Sequence, residues 1–269
     1  MRVINLASGS RGNCTLFEFA NTAYLVDCGI TKKELEQKLQ FVGCSLDKIK
    51  GVFVSHIHSD HIGGIATFCN KYKIPVFAKS KNWETMSNDT QKGYRVTLEN
   101  VDLGLRRVLD DERIDFEEFE LKVFDVSHDA PSTVGFVFEE AGKKVGIVSD
   151  LGVFDAVALN FLSGADLVLI ESNHDEMMLR SGRYPLALQS RILSNRGHLS
   201  NRQCAEAIGQ LANRGTKFFM LMHLSEENND PEIALSTIYE YLVENEFNVN
   251  EIAIFVSSQH KVGKNFILG

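Results

Sequence analysis

The sequence predicts an α/β protein, a four-layer αββα sandwich, on three observations. Apolar runs of strand length dominate the early and middle parts of the chain, and helical segments follow them. Two sheets packed face to face with helices outside would bury such runs on both faces. No G-x-G-x-x-G follows the first strand, which counts against the alternative of a doubly wound parallel sheet. The chain has 269 residues, 44% hydrophobic and 24% charged, with no internal repeat, low-complexity stretch or Pro/Gly/Ser-rich linker. It therefore reads as a single globular domain, 1–269.

The elements follow in order. Met1 to Leu6 carries one basic residue and a short apolar stretch, so it reads as a first strand and not as a signal peptide. Residues 14–20 and 22–27 form a hairpin that ends at Asp27-Cys28-Gly29. Thr31 and Glu34 have the spacing of a capping box, opening a helix to about Phe41. Residues 50–55 are a buried strand, a helix runs from about Asp60 to Tyr72, and a short strand follows at 75–78. Further strands are expected at 118–124, 133–139, 144–149, 166–170, 217–222 and 252–256. Helices are expected at 184–194 and 201–213, the second opened by a capping box at Ser200 and Gln203. Asp230-Pro231 starts another helix, Asp as the cap and Pro in the first turn.

Composition excludes several classes. No apolar run reaches 18 residues, so no membrane-spanning helix is expected. Five cysteines, with no Cys-x-x-Cys pair, read as free thiols in a reducing cytoplasm, not as a cysteine zinc site. The net charge of −8 gives no overall attraction to nucleic acid. A local basic face exists, because residues 177–217 hold six Arg and one Lys against one Glu. Neither a Gly-x-Ser-x-Gly elbow nor a Walker-A loop is present, which leaves covalent hydrolase and nucleotide-triphosphatase readings weak.

The strongest chemical signal is Ser55-His56-Ile57-His58-Ser59-Asp60-His61, directly after a strand and before a helix. His56 and His58 are two apart, so an extended backbone points both to one side. Asp60 and His61 open the next helix, where the turn aims them at a neighbouring point. Imidazole with carboxylate suits Zn, Mn or Fe. A ligand-rich loop of this kind suggests two metals, whose remaining ligands should lie at other strand ends. His128, Asp150 and His223 each sit just past an apolar run and meet that requirement.

This pattern resembles the metallo-β-lactamase fold superfamily from about Leu6 to His223. The resemblance implies His56, His58 and His128 as ligands of one metal. It implies Asp60, His61 and His223 as ligands of a second, with Asp150 bridging and Asp27 supporting the histidine loop from behind. The family's fold is the sandwich expected above. Three further segments, Ala7 to Cys14, Glu171 to Asp175 and Gly197 to Asn201, resemble the bacterial WalJ/YycJ-type branch. That branch implies a phosphodiesterase, a nuclease or exonuclease acting on DNA or RNA.

Two divalent metals lower the pKa of a shared water toward about 7 and neutralise charge on attacking and leaving oxygens, which suits phosphodiester cleavage. Asp60, His198 and His174 are the catalytic candidates, the two histidines as proton donors or phosphate contacts. Asn173, Arg196 and Ser200 are the substrate-binding candidates. Ser200 caps the helix at 201–213, whose N-terminus favours an anion, and Arg196 and Arg202 flank that turn. The alternative is a dinuclear-metal hydrolase of a small ester, thioester or cyclic phosphodiester. The Arg-rich segment favours a nucleic-acid substrate, because phosphate contacts draw on Arg and Lys.

Overall fold

The structure of the protein, a computed structural model, describes residues 1–88 and 98–269. The chain divides into two compact units. The first comprises Met1–Asp111, Ala130–Ser132 and Ser258–Gly269, and the second Glu112–Asp129 and Thr133–Ser257.

The first unit is built on a seven-stranded sheet of β1 (Arg2–Ala7), β2 (Cys14–Glu18), β3 (Ala23–Val26), β4 (Ile49–Phe53), β5 (Val76–Ala78), β6 (Arg106–Val108) and β14 (Asn265–Ile267), in the order β14-β1-β2-β3-β4-β5-β6. Its β14-β1-β2-β3 half is antiparallel, and β3 to β6 run parallel. The second unit has β7 (Arg113–Asp115), β8 (Glu120–Asp125), β9 (Val134–Glu140), β10 (Lys143–Val148), β11 (Leu167–Glu171), β12 (Phe218–Met222) and β13 (Ala253–Val256), in the order β13-β12-β11-β10-β9-β8-β7. Here β7 to β10 are antiparallel and β10 to β13 parallel.

Parallel strands deliver their C-terminal loops to one edge of a sheet, where ligands bind in open α/β sheets. Asp27 follows β3, and the His56–His61 loop follows β4, the parallel neighbour of β3. In the second unit Asp150, Glu171 and His223 sit at the ends of the parallel strands β10, β11 and β12. Two antiparallel steps separate β8 from β10, so β8 runs the same way and His128 leaves by the same edge.

The helices are α1 (Lys32–Phe41), α2 (Ser59–Ile62), α3 (Ile65–Tyr72), α4 (Ser80–Asn88), α5 (Ala156–Leu162), α6 (Glu176–Ser181), α7 (Leu186–Ile192), α8 (Asn201–Ala212) and α9 (Pro231–Glu244). The Ser200–Gln203 capping box forms in both directions, and Asp230 caps α9 with Pro231 in its first turn. The one long helix expected from Asp60 to Tyr72 is instead α2 and α3, broken at Gly63-Gly64. The Gly64 N–H donates to the Cys28 carbonyl at 2.8 Å, and a Cβ on Gly64 would lie 2.0 Å from the Ile30 carbonyl oxygen. Only glycine admits that approach of the chain leaving β3. The helices α4, α5 and α6 and the three-residue strands β6, β7 and β14 have no counterpart in the sequence expectation.

Each unit has its own apolar core. Leu6, Leu16, Leu25, Val52 and Phe68 are buried in the first, and Val137, Val148, Ile170, Phe219 and Ile238 in the second. Each such side chain contributes about 1.5–3 kcal/mol when fully buried. All five cysteines are buried free thiols. Among the described residues no helix is long and apolar enough to cross a membrane.

Candidate active site

In the first unit the histidine loop is organised by one carboxylate. Asp27 is buried and has a φ of +59°, a left-handed conformation unusual for a residue with a side chain. Its Oδ1 accepts from the Ser55 N–H at 2.8 Å, and its Oδ2 accepts from the Ser55 hydroxyl at 2.8 Å and from His61 Nδ1 at 2.7 Å. A proton on His61 Nδ1 leaves the lone pair on Nε2, the tautomer a metal ligand needs. The Ser55 hydroxyl, committed to Asp27, in turn accepts from His56 Nδ1 at 3.0 Å. His56 Nε2 then faces His58 Nδ1 at 3.0 Å, and the His56 and His61 rings lie 4.1 Å apart. His56 and His61 are fully buried, and His58 and Asp60 are half-buried. Asn13 enters the same cluster. Its Nδ2 lies 3.2 Å from Asp60 Oδ2 and 3.0 Å from His61 Nε2.

In the second unit Glu171, at the end of β11, plays the corresponding part. It is fully buried. Its Oε1 accepts from His198 Nδ1 and from His223 Nδ1, both at 2.8 Å. Its Oε2 accepts from the Leu151 N–H at 3.2 Å and the Leu199 N–H at 3.1 Å. Burial opposes its charge, but His198 and His223 outweigh that and hold the carboxyl below the ordinary range. Burial likewise opposes the charged form of His198, yet Glu171 and Asp150 raise its pKa above the ordinary value. Asp150, Glu171, His198 and His223 each bring one ligand-type atom within 4.8 Å of the others. Asp150 and His223, like Asp27, sit at positive φ, +55° and +54°. Backbone strain of this kind persists where surrounding contacts demand it and concentrates at functional sites.

His128 is also buried. Its Nδ1 donates to the Gly197 carbonyl at 3.0 Å, while its Nε2 lies 3.9 Å from Asp150 Oδ1. Burial lowers its pKa despite the neighbouring Asp150, which favours the neutral form that ligates metals. In both units, then, a histidine has Nδ1 tied to a carboxylate or carbonyl, beside a further carboxylate. That donor set suits a divalent first-row cation.

The remaining expected residues fall into distinct places. His198 is the one histidine of the Glu171 cluster with substantial exposure, its side chain 17% accessible. His174 is buried, with neither ring nitrogen hydrogen-bonded among the described residues, and burial pushes its pKa down to about 4. It is therefore neutral near pH 7. The Asn173 amide donates to the His223 carbonyl at 2.9 Å and so holds the strained backbone of that residue. Ser200 is buried, its hydroxyl capping α8. The Arg196 guanidinium donates to the His128 carbonyl at 3.1 and 3.0 Å. Arg202 faces α9, stacking on Tyr241 and pairing with Glu244, and so turns away from the α8 N-terminal turn. Sequence reasoning did not single out Asn13 or Ser55, and Glu171 entered it only as the start of a segment that carries the family resemblance. A Ser before the first ligand histidine, and an Asn ending a Gly-rich loop, were the available signals.

Compared with known proteins, residues 22–224 match the family model described as a beta-lactamase superfamily domain. The exodeoxyribonuclease YycJ of Bacillus anthracis is 33% identical over 251 residues, 91% of this chain and 90% of that protein. The exodeoxyribonuclease WalJ of Streptococcus pneumoniae serotype 2 strain D39 is 34% identical over 245 residues, 91% of this chain and 89% of that protein. Among solved structures, the metallo-β-lactamase fold protein YhfI of Bacillus subtilis aligns with a TM-score of 0.68 at 16% identity, over 98% of this chain and 99% of that one. The short form of human tRNase Z aligns with a TM-score of 0.63 at 17% identity, over 99% and 100%. These likenesses show the α/β fold class expected from the sequence.

Proposed function

The chain belongs to the beta-lactamase superfamily, and from that premise we propose that it is a metal-dependent phosphodiesterase, a nuclease or exonuclease acting on DNA or RNA. The observation that carries this reading is the pair of buried carboxylates, Asp27 and Glu171, each fixing the Nδ1 tautomer of a histidine in a carboxylate-rich cluster. Similarity across about nine-tenths of the chain to proteins named exodeoxyribonucleases supports the substrate class.

The reading assigns His56, His58, Asp60, His61, His128, Asp150 and His223 to two divalent metal ions, Zn or Mn, with Fe as the third candidate. Such ions, when bound, lower the pKa of water and neutralise phosphate charge. The chain's own groups do the rest. Asp27 and Glu171 hold His61 and His223 in one tautomer and orientation. Glu171 keeps the proton on His198 Nδ1, so that Nε2 of the charged imidazole passes a proton to the leaving oxygen. Asp60 combines a ligand role with a catalytic one, and His174 serves as a neutral contact. Asn173 and Arg196 act on the backbone of His223 and His128, and Ser200 sets the start of α8 where a phosphate is received. The whole chain functions as one metallo-β-lactamase-like domain in the cytoplasm.

The test is a panel of end-labelled DNA and RNA, single- and double-stranded, with bis-p-nitrophenyl phosphate and a thioester alongside. Metal-dependent release from nucleic acid is expected. Turnover confined to the small esters would replace this reading with that of a small-molecule hydrolase.

A further inference from the structure

We propose that Asn13 is a positioning residue that holds the Asp60–His61 corner in its ligand geometry before any metal arrives. The inference rests on the assignment of Asp60 and His61 as ligands. The orientation of the Asn13 amide is fixed independently of them. Its Oδ1 accepts the Gly9 N–H at 2.8 Å, so Nδ2 is the atom turned to the histidine loop. There Nδ2 lies 3.2 Å from Asp60 Oδ2 and 3.0 Å from His61 Nε2. Asp27 accepts the His61 Nδ1 proton, so His61 Nε2 offers Asn13 a lone pair and not a hydrogen. The two amide hydrogens, which also have the Gly9 carbonyl at 3.1 Å and the Asp60 carbonyl at 3.4 Å within reach, are thus offered to a carboxylate oxygen and an imidazole lone pair of the two assigned ligands.

The main chain reinforces the contact. The Asn13 N–H donates to the Asp60 carbonyl at 2.7 Å, and the Gly29 N–H donates to the Asn13 carbonyl at 2.9 Å. Gly29 has no room for a side chain, since a Cβ there would lie 1.6 Å from the Asp60 carbonyl oxygen. Asn13 is itself 3% exposed, so water does not compete for its amide. When a cation takes the His61 lone pair, the amide loses one acceptor and keeps the Asp60 carboxylate. A neutral donor at this point serves both states, whereas an acid would repel Asp60 in the empty one. The Ala7 to Cys14 segment thereby has a role that the ligand motif alone does not give it.

Two variants separate positioning from support of the loop. Asn13→Asp keeps an oxygen for Gly9 and removes the donor facing Asp60 and His61. Gln259→Ala loosens the same loop from its far side, where Gln259 bonds the Arg11 N–H and the Gly12 carbonyl, and touches no ligand. Metal affinity is measured on purified full-length protein by competition with a chromophoric chelator, using Zn²⁺ and Mn²⁺, alongside thermal unfolding of the metal-free form. Asn13→Ala and Asn13→Asp are each expected to weaken the affinity of one of the two metals by about 10–100-fold, the usual effect of losing a partner of a metal ligand. Gln259→Ala is expected to lower the melting temperature of the metal-free protein with affinity unchanged. Equal loss of affinity in Gln259→Ala and Asn13→Ala would reduce Asn13 to loop support, and unchanged affinity in both Asn13 variants would overturn the proposal. A wild-type protein that binds neither metal would instead overturn the ligand assignment, and the positioning role would fall with it.

Discussion

The Asp27 corner of the first unit and the Glu171 corner of the second meet one requirement with different means. Both carboxylates are buried, and both accept backbone N–H groups together with the Nδ1 proton of a histidine. Asp27 serves one histidine and one hydroxyl, all supplied by the loop after the neighbouring strand. Glu171 serves two histidines, His198 and His223, 27 and 52 residues further along the chain. The first corner joins the end of β3 to the one segment that follows its parallel neighbour β4, with partners 28 and 34 residues on. The second exists only once β10, β11 and β12 are in register. Disturbing Glu171 should therefore spread further than disturbing Asp27.

The largest effects are expected from variants that remove proposed ligands outright. Asp60→Ala or His61→Ala should abolish phosphodiester hydrolysis, by more than about 1,000-fold, with a far-ultraviolet circular dichroism spectrum like that of wild type. These side chains serve the site and not an apolar core. Retention of a tenth of the wild-type rate in either metal-replete variant would refute the assignment.

The next effect sharpens the contrast itself. Glu171→Gln leaves the buried His223, the half-buried His198 and two backbone amides facing an amide that cannot accept from all of them. Removing one partner of a buried charged pair costs about 3–5 kcal/mol. Asp27→Asn should cost less stability and act mainly on metal affinity, by about 10–100-fold. Urea unfolding of both metal-free variants measures this, and an equal loss in the two would erase the distinction between the corners.

That distinction also explains what the sequence made legible. Four ligand-type side chains within six residues, His56 to His61, announce themselves because the chain needs no tertiary information to bring them together. His128, Asp150 and His223 were legible as singles at strand ends that the ligand-rich loop called for, and the family resemblance distributed them between two metals. Glu171 reads in sequence as the residue just past an apolar strand, and nothing local shows that one earlier segment and two later ones converge on it. The helix break at Gly63-Gly64 was hidden for the same reason, since the Ile30 carbonyl that forces it belongs to another element. The three-residue strands β6, β7 and β14 are mostly exposed and lack the buried apolar run that makes the equally short β5 legible.

A smaller effect separates the buried histidines of the second unit. His174 has a folded pKa of about 4, below the unfolded value of about 6.5. As pH falls from about 6.5 to about 4 the unfolded chain takes up a proton that the folded chain refuses, so stability present above pH 6.5 is lost across that window. His174→Gln should remove this slope, worth at most about 3 kcal/mol between pH 7 and pH 4. Parallel stability curves for variant and wild type would show that His174 does not titrate in this way. Smallest of all, Arg202→Ala should leave the apparent binding constant for DNA unchanged and cost under about 1 kcal/mol, because its partners Glu206, Glu244 and Tyr241 are exposed or half-exposed groups of α8 and α9. A clear loss of DNA affinity would return Arg202 to the substrate turn.

The most direct test of the central claim is a titration of metal-stripped protein with Mn²⁺ or Zn²⁺, following release of label from end-labelled DNA. No release is expected from the stripped protein, with recovery that saturates at two equivalents of metal per chain. Undiminished cleavage by the stripped protein, or no cleavage at any metal concentration, would contradict it.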